Sequence, residues 1–246
     1  MPTRDQHDRK AGKYDDPPAS SPPLGIKRLG NQDCVVTARL HQEHLSVGLF
    51  PQLGLRFLSR WHRTFIAAPH GWGAVAVDER AQIVGFVLVA TDVEQYVSEV
   101  LSAQRWRLGA AGVVALLRRP SVAMGFARTR SRRYAKRLLR RRSQPHRGGG
   151  SPTTPTTTAV VYAMVTAPAA RGRGVGRDLL DAAVQAARAA GATEVRLLTR
   201  SRGPATSPTE NLASGAAGFY EHLDWHRVRQ VERDGSVLVE YRLPLR

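Results

Sequence analysis

The sequence predicts an α/β fold in which helices flank a mixed β-sheet. Two valine-rich segments, residues 73–78 and 81–90, are separated by a polar turn and predict an antiparallel hairpin. Residues 160–191 have the pattern of a strand, a glycine-rich loop and a helix. Residues 225–243 predict a second hairpin, because Asp234-Gly235 separates two segments of strand character. The predicted element order is therefore β-α-α-β-β-insertion-β-α-β-α-β-β.

The N-terminal residues 1–23 differ in composition from the rest of the chain. They contain five prolines and mixed charges without an apolar run, so we expect a disordered tail rather than a signal peptide. Residues 24–246 are then expected to form one domain that contains an insertion. The single cysteine, Cys34, excludes an internal disulfide and a metal cluster built from several cysteines.

A short strand and two amphipathic helices are expected at the start of this domain. Residues 24–29 alternate weakly as a strand, and Asn31-Gln-Asp33 follows as a helix cap. The buried side of the first helix is predicted to consist of Val35, Val36, Ala38, Leu40 and Leu45. Residues 49–66 predict a second helix whose core face contains Phe57, Trp61 and Phe65. His41 and His44 lie three residues apart without a third ligand nearby, so we predict no metal site.

Residues 92–157 form an insertion between the third and fourth predicted strands. Residues 95–142 are helical in character, and residues 143–157 predict a flexible linker. Residues 101–147 contain thirteen arginines and one lysine but no aspartate or glutamate, which accounts for most of the chain's formal net charge of +17. The apolar run at residues 108–117 is too short to cross a membrane, because a spanning helix needs about 20 residues.

This basic insertion predicts contact with an anionic surface. We expect the cytoplasmic face of a membrane, because apolar side chains of the insertion can enter the lipid interface while arginines stay among the headgroups. Nucleic acid is the alternative partner, although the insertion has few aromatic residues and no known nucleic-acid-binding motif. In the absence of a signal peptide, we expect the protein in the cytoplasm, peripheral to the inner face of the membrane.

The glycine-rich loop that follows the fourth predicted strand has the features of an anion site. The strand at residues 160–165 ends before Pro168, and three alternate glycines open a helix that Gly191 terminates. Loop amides and the helix dipole attract phosphate, and three arginines crowd the same loop, namely Arg171, Arg173 and Arg177. The loop lacks the Gly-Lys-Ser/Thr of a P-loop, and Arg177 stands where a dinucleotide-binding fingerprint requires glycine.

The pattern Arg171-x-x-Gly174-x-Gly176, which begins three residues after Pro168, resembles the acyl-CoA pyrophosphate loop of the GNAT superfamily of N-acetyltransferases. The resemblance implies the GNAT fold, a mixed and mostly antiparallel sheet flanked by helices, with acetyl-CoA as co-substrate and no metal. It implies that the pyrophosphate is held by Arg171, Gly172, Arg173, Gly174, Val175, Gly176 and Arg177. It also implies that the pantetheine arm lies along the strand end at Met164, Val165 and Thr166.

The segment Phe219-Tyr220-x-x-Leu223-Asp-Trp225 resembles the signature of the last helix of the same superfamily, in which the tyrosine hydroxyl faces the CoA sulfur. The resemblance implies that Tyr220 is the catalytic general acid, since a phenol with a pKa near ~10 can protonate a leaving thiolate. Two residues depart from the superfamily pattern. Asp224 replaces the usual glycine, and Ala213 occupies the usual asparagine position, so Asn211 is the candidate for that contact with CoA.

The implied function is transfer of an acetyl group from acetyl-CoA to a primary amine by direct attack. A backbone amide near Thr166 is expected to stabilise the oxyanion. The acceptor amine stays open, and so does the general base, for which the candidates are Glu43, Asp92, Glu94, Tyr162 and Glu240; water alone is a further alternative, since many enzymes of the superfamily use only water. The alternative is a catalytically weak binding module of GNAT fold that holds an anionic membrane surface or nucleic acid through its basic insertion.

Overall fold

The computed structural model describes residues 25–45, 49–103, 156–200, 216–233 and 236–245, which form one β-sheet with helices on both faces. The strands are β1 Gly25–Arg28, β2 Gly71–Val77, β3 Ile83–Ala90, β4 Thr158–Thr166, β5 Glu194–Arg200, β6 His226–Arg233 and β7 Ser236–Pro244. The helices are α1 Cys34–His44, α2 Leu49–Gln52, α3 Leu55–Ala67, α4 with its described part at residues 93–103, α5 Val175–Ala189 and α6 Ala216–Glu221.

The seven strands of the described chain are arranged in the order β1-β2-β3-β4-β5-β7-β6. Strands β4 and β5 pair in parallel, and every other neighbouring pair is antiparallel. The order of the strands along the chain is the one predicted from the sequence, and the helices follow the predicted order except that two helices stand in place of the second. The expected mixed and mostly antiparallel sheet flanked by helices is therefore confirmed.

Several sequence-based predictions concern residues outside the described ranges. These are the tail at residues 1–23, most of the basic insertion with its linker, and Asn211. The predicted membrane contact of residues 101–147 therefore stays a prediction. Within the described ranges, no helix is both long enough and apolar enough to cross a membrane.

Two core layers lie on opposite faces of the sheet. On one face, α5 buries the apolar stripe of its helical repeat, which includes Leu179, Leu180, Ala183 and Ala187, and α6 packs beside it. On the other face, α3 buries Phe57, Trp61 and Phe65, so the prediction that these three aromatic residues are core residues is confirmed. We refer to these faces as the α5 face and the α3 face.

The predicted buried side of α1 was wrong in part. Val35 and Val36 are 39% and 41% exposed, while Thr37 and His41 are buried against α3 together with Ala38. Hydrogen bonds connect Thr37 and His41 to a histidine of α3, so these polar groups can be buried without loss of partners. A helix side that is polar in sequence therefore faces the core, and the two valines face solvent.

The second predicted helix is two helices. The segment from Leu49 to Ala67 breaks at Gly54, whose φ of 90° is accessible to glycine and strained for other residues. The short α2 ends there and α3 begins, which allows Phe50 of α2 to fold back onto Phe57 and Trp61 with ring centroids 5.3 and 5.0 Å apart.

A β-bulge interrupts β4 at Tyr162. In the pairing of β3 with β4, Val89 lies opposite Val161 and Leu88 lies opposite Ala163, which leaves Tyr162 as an additional residue. The bulge changes the alternation of the strand. Val161 belongs to the core on the α5 face, whereas Ala163 belongs to the core on the α3 face.

Strands β4 and β5 separate beyond this bulge. Their parallel pairing runs from Thr158 opposite Glu194 to Val161 opposite Leu197 and then ends. Strand β4 continues along β3 as far as Thr166, and β5 continues along β7 as far as Arg200. The two strands thus border a gap in the sheet, which we call the β4–β5 opening.

Candidate functional site

The end of β4 directs backbone groups into the β4–β5 opening. The amide of Ala167 donates to the carbonyl oxygen of Val84 at 2.8 Å. Because hydrogen bonding alternates along an antiparallel strand, the backbone groups of Met164 and Thr166 point away from β3 and toward the opening. By the same alternation Val165 bonds to β3, and its side chain is buried in the core on the α3 face. Two of the three predicted pantetheine-binding residues therefore face the opening with their backbone groups.

The loop between β4 and α5 has a backbone that is open on its outer side. We call residues 171–177 the anion loop. Gly172 and Gly174 have φ values of 75° and 78°, and a methyl group placed on either residue would meet no atom within 4 Å. Gly174 is the N-cap of the 15-residue α5 and no side chain caps the helix there, so its first amides can bind an anion.

The arginines of the anion loop differ in their partners. Arg171 Nε donates to the carbonyl oxygen of Thr166 at 3.4 Å, and Arg177 Nε lies 3.7 Å from Asp181 Oδ2 one turn along α5. The Nε of Arg173 is buried and has no hydrogen-bond partner among the described residues. A buried N–H group without an acceptor is costly, and a bound anion would satisfy it. The loop therefore offers both backbone and side-chain hydrogen-bond donors to a pyrophosphate group.

Helix α6 meets the anion loop at Gly176. A methyl group placed on Gly176 would lie 3.4 Å from the ring atom Cζ of Phe219 and 3.5 Å from Thr166 Oγ1. The end of β4, the start of α5 and the last predicted helix therefore converge at one place. The structure thus brings together three of the segments that the sequence singled out.

Tyr220 is buried beside this convergence. Its ring lies 5.2 Å from the ring of Phe219, 5.6 Å from that of Tyr241 and 5.9 Å from that of Trp225, measured between centroids. Burial raises the pKa of Tyr220 well above its ordinary value. The phenol therefore stays protonated through the neutral range, which a proton donor requires.

Asp224 occupies a left-handed backbone position directly after α6, with φ of 59°. The glycine that the superfamily pattern has there is the residue that adopts such a conformation most readily, and aspartate is among the residues that tolerate it. This departure from the pattern thus preserves the turn by which the chain leaves α6.

The candidate general bases lie in different settings. Glu43 is exposed on α1, and Asp92 accepts hydrogen bonds from the amides of Glu94 and Gln95 at the start of α4. Glu240 is buried and held by two arginines. Tyr162, at the bulge, is the candidate that lies at the β4–β5 opening.

Sequence patterns did not reveal two buried polar clusters on the α3 face. The first, which we call the histidine chain, joins Thr37 Oγ1 to His62 Nδ1 at 2.9 Å and His62 Nε2 to His41 Nδ1 at 3.2 Å. Burial lowers the pKa of His41 to about 4 and that of His62 to about 3. No group of three metal-ligating side chains occurs in the described ranges. The Nδ1 atom of His41 is hydrogen-bonded to His62.

The second cluster, which we call the ion-pair ladder, crosses β6, β7 and β5. Its five members alternate in charge, in the order Arg242, Glu194, Arg196, Glu240 and Arg229, with N···O distances of 2.8, 2.6, 3.3 and 2.5 Å. The two carboxylates are 3% and 8% exposed in their side chains, and the arginines cover them from the solvent side. Cross-strand register creates this cluster, so the sequence spacing of its members contains no signal for it.

Comparisons with known proteins agree with this architecture. Residues 138–227 match the family model described as the acetyltransferase (GNAT) domain. The chain has the fold of Arabidopsis thaliana NAA60, solved in complex with acetyl-CoA, with a TM-score of 0.51 and 12% identity over 91% of this chain and 99% of that one. A GCN5-related N-acetyltransferase from Kribbella flavida gives a TM-score of 0.49 and 16% identity, over 90% of this chain and 98% of its own.

No curated protein matches the sequence significantly. The domain match covers the end of β4, the anion loop, α5 and the segment with Tyr220, which are the parts from which the resemblance was drawn. The match and the fold agree with that resemblance: residues 138–227 are similar to a GNAT acetyltransferase domain, and the described residues share the fold of a protein solved with acetyl-CoA.

Proposed function

We propose that this protein transfers an acetyl group from acetyl-CoA to a primary amine. The observation that carries the proposal is the alignment of the β4–β5 opening with the anion loop. Backbone groups of Met164 and Thr166 face the opening, and the uncapped start of α5 follows within ten residues. An elongated ligand with a pyrophosphate at one end and an amide-containing arm at the other matches this arrangement.

In the proposed complex the anion loop holds the pyrophosphate of acetyl-CoA. Backbone amides from Gly172 to Arg177 and the side chains of Arg171 and Arg173 are the donors. The backbone of Met164 and Thr166 bonds the pantetheine arm, which brings the thioester toward the bulge in β4. Asn211 is proposed as a further contact with the cofactor on the basis of the superfamily pattern.

The chemistry needs a neutral amine, a stabilised oxyanion and a protonated leaving group. The amine nitrogen forms a bond to the thioester carbonyl carbon and loses a proton to water, and the C–S bond breaks. A backbone amide near Thr166 donates to the carbonyl oxygen while it carries negative charge. Tyr220 transfers its proton to the departing thiolate and then recovers one from solvent.

The binding part of the proposal is tested by Gly174→Glu. The substitution puts a carboxylate where the pyrophosphate approaches the backbone, so calorimetric affinity for acetyl-CoA should fall below detection. Gly191→Glu is the matched control, because Gly191 has the same φ of 78° and the same empty surroundings at the other end of α5. If both folded variants bind acetyl-CoA as tightly as the parent protein, the anion loop is not the cofactor site.

The catalytic part is tested by Tyr220→Phe, which keeps the ring among its aromatic neighbours and removes the hydroxyl. Turnover should fall by roughly 10²–10⁴-fold, the usual contribution of a positioned proton donor, with little change in affinity for acetyl-CoA. Equal rates for the two proteins between pH 6 and 9 would reduce Tyr220 to a packing residue. No described residue favours the alternative of a binding module without catalysis.

A further inference from the structure

The register of β4 and β5 places two large side chains, Tyr162 and Leu198, at the mouth of the β4–β5 opening. Tyr162 follows Val161 on β4, and Leu198 follows Leu197 on β5, where Val161 and Leu197 form the last parallel pair. Leu197 belongs to the core on the α5 face, so Leu198 projects to the α3 face by alternation. Tyr162 lies on the same face, since its ring contacts those of α3 and α4 aromatic residues.

Both side chains are accessible from this side. Tyr162 is 38% exposed and Leu198 is 51% exposed, although the residues that precede them, Val161 and Leu197, are buried. The ring of Tyr162 is held edge-on to Trp61 and Phe65, with centroids 6.2 and 5.6 Å away. An apolar ligand body placed here would cover exposed carbon on both strands and meet a positioned aromatic ring.

The ion-pair ladder makes the neighbouring surface electropositive. Arg196 is two residues from Leu198 on the same side of β5, a separation of about 6–7 Å. The ladder contains three guanidinium groups and two carboxylates, and the carboxylates are buried while the arginines are 40–67% exposed. A ligand therefore meets guanidinium groups at this surface, which attract a carboxylate and repel a polycation.

We infer that the acceptor is a primary amine that carries a carboxylate and an apolar or aromatic side group, in the manner of a large hydrophobic α-amino acid. The inference rests on the proposed acetyl transfer and names its substrate class. Tyr162 and Leu198 contact the side group, and the ladder binds the carboxylate through Arg196. The amine is then directed at the thioester in the opening, where its nitrogen displaces the CoA thiolate.

The test measures release of the CoA thiol by the full-length protein with three acceptors. L-phenylalanine has the proposed features, L-phenylalanine amide lacks the carboxylate, and spermidine is a polycation. We expect kcat/KM to be highest for phenylalanine, at least about tenfold lower for its amide, and lowest for spermidine. A highest kcat/KM for spermidine, or no turnover of phenylalanine, overturns the inference.

Two variants test whether Leu198 contributes to the binding of phenylalanine. Leu198→Ala should raise KM for phenylalanine roughly tenfold or more with little change in kcat or in affinity for acetyl-CoA. Val228→Ala, which truncates an apolar side chain of similar exposure on β6, is the matched control and should have no such effect. Equal KM values for Leu198→Ala and the parent protein overturn the role of this residue.

Arg196→Gln should remove the preference for phenylalanine over its amide. Glu194 keeps Arg242 and Thr158 as partners and Glu240 keeps Arg229, so the variant is expected to fold. Arg188→Gln removes an exposed charge from α5 as a control and should retain the preference. An unchanged preference in Arg196→Gln contradicts carboxylate binding by the ladder. Failure of the proposed function itself would be seen in a different experiment, because Gly174→Glu would then bind acetyl-CoA as tightly as the parent protein.

Discussion

The histidine chain and the two carboxylates of the ion-pair ladder are all buried on the α3 face, but they differ in charge. The histidine chain lies beneath α1 and α3 among aromatic rings, where desolvation lowers the pKa of both imidazoles and keeps them neutral. In the ladder, burial opposes ionisation of Glu194, but hydrogen bonds from Arg196 and Thr158 outweigh it and lower its pKa. The difference shows that the partners available to a buried group, more than its depth, decide whether it is charged.

The largest effect expected from this difference is a loss of stability in mild acid. The folded-state pKa of His41 and His62 lies below the unfolded value near ~6.5, so the unfolded chain binds more protons as pH falls below that value. The free energy of unfolding should decrease by roughly 2 kcal/mol for each histidine between pH 7 and 5. Urea unfolding at constant ionic strength measures this slope.

The variant His41→Gln provides the control for that slope, because it removes one titrating group and keeps a hydrogen-bonding side chain. Its slope should be about half as steep. Glu194 contributes in the same sense but at lower pH, since its stabilisation is present above the unfolded pKa and is lost only as pH falls below about 4.3. If stability is lost only below about pH 4.3, the two histidines are not buried in the neutral form.

His62→Ala is expected to have the next largest effect. The substitution leaves a cavity between α1 and α3 and removes the shared partner of Thr37 and His41. A loss of about 3 kcal/mol in the free energy of unfolding follows from the two contributions together. Arg63→Ala, on the exposed side of the same helix, should change it by less than about 0.5 kcal/mol. Similar values for both variants would mean that the histidine chain adds nothing to stability.

The ladder should respond more weakly to a single change. Glu240→Gln keeps the shape of the side chain and neutralises the charge between two arginines, so we expect a loss of about 1 kcal/mol. Arg229→Gln should cost less than about 0.5 kcal/mol, because the arginine is largely exposed. Chemical unfolding of both variants in low and high salt measures the difference, and a larger loss for Arg229→Gln would reverse this assignment.

Local patterns in the sequence predicted most elements of the fold. Valine-rich strands, Asp234-Gly235 and the glycines that open and close α5 are signals within a few residues of each other, and the structure has strands and helices where they were expected. The anion loop was found for the same reason, because its donors are consecutive in the chain. Tyr220 could be singled out because its motif is contained in one short segment, the end of α6 and the turn that follows it.

Features that depend on contacts between distant segments could not be predicted. The orientation of α1 follows from a hydrogen bond to His62 of α3, so hydrophobic spacing within α1 pointed to the wrong side. The ion-pair ladder arises from the register of three strands, and Leu198 acquires its place only where β4 and β5 separate. These are the residues on which the proposed acceptor selectivity depends.

The bulge at Tyr162 changes which face of the sheet the odd-numbered residues of β4 lie on. Before it, odd-numbered residues such as Val161 point to the α5 face; after it, odd-numbered residues such as Ala163 point to the α3 face. Deleting Tyr162 would leave Val161 and Ala163 opposite Val89 and Leu88 in a regular strand, so the side chains beyond it would keep their present faces. The additional residue therefore adds one side chain at the β4–β5 opening without changing the face on which the following residues lie.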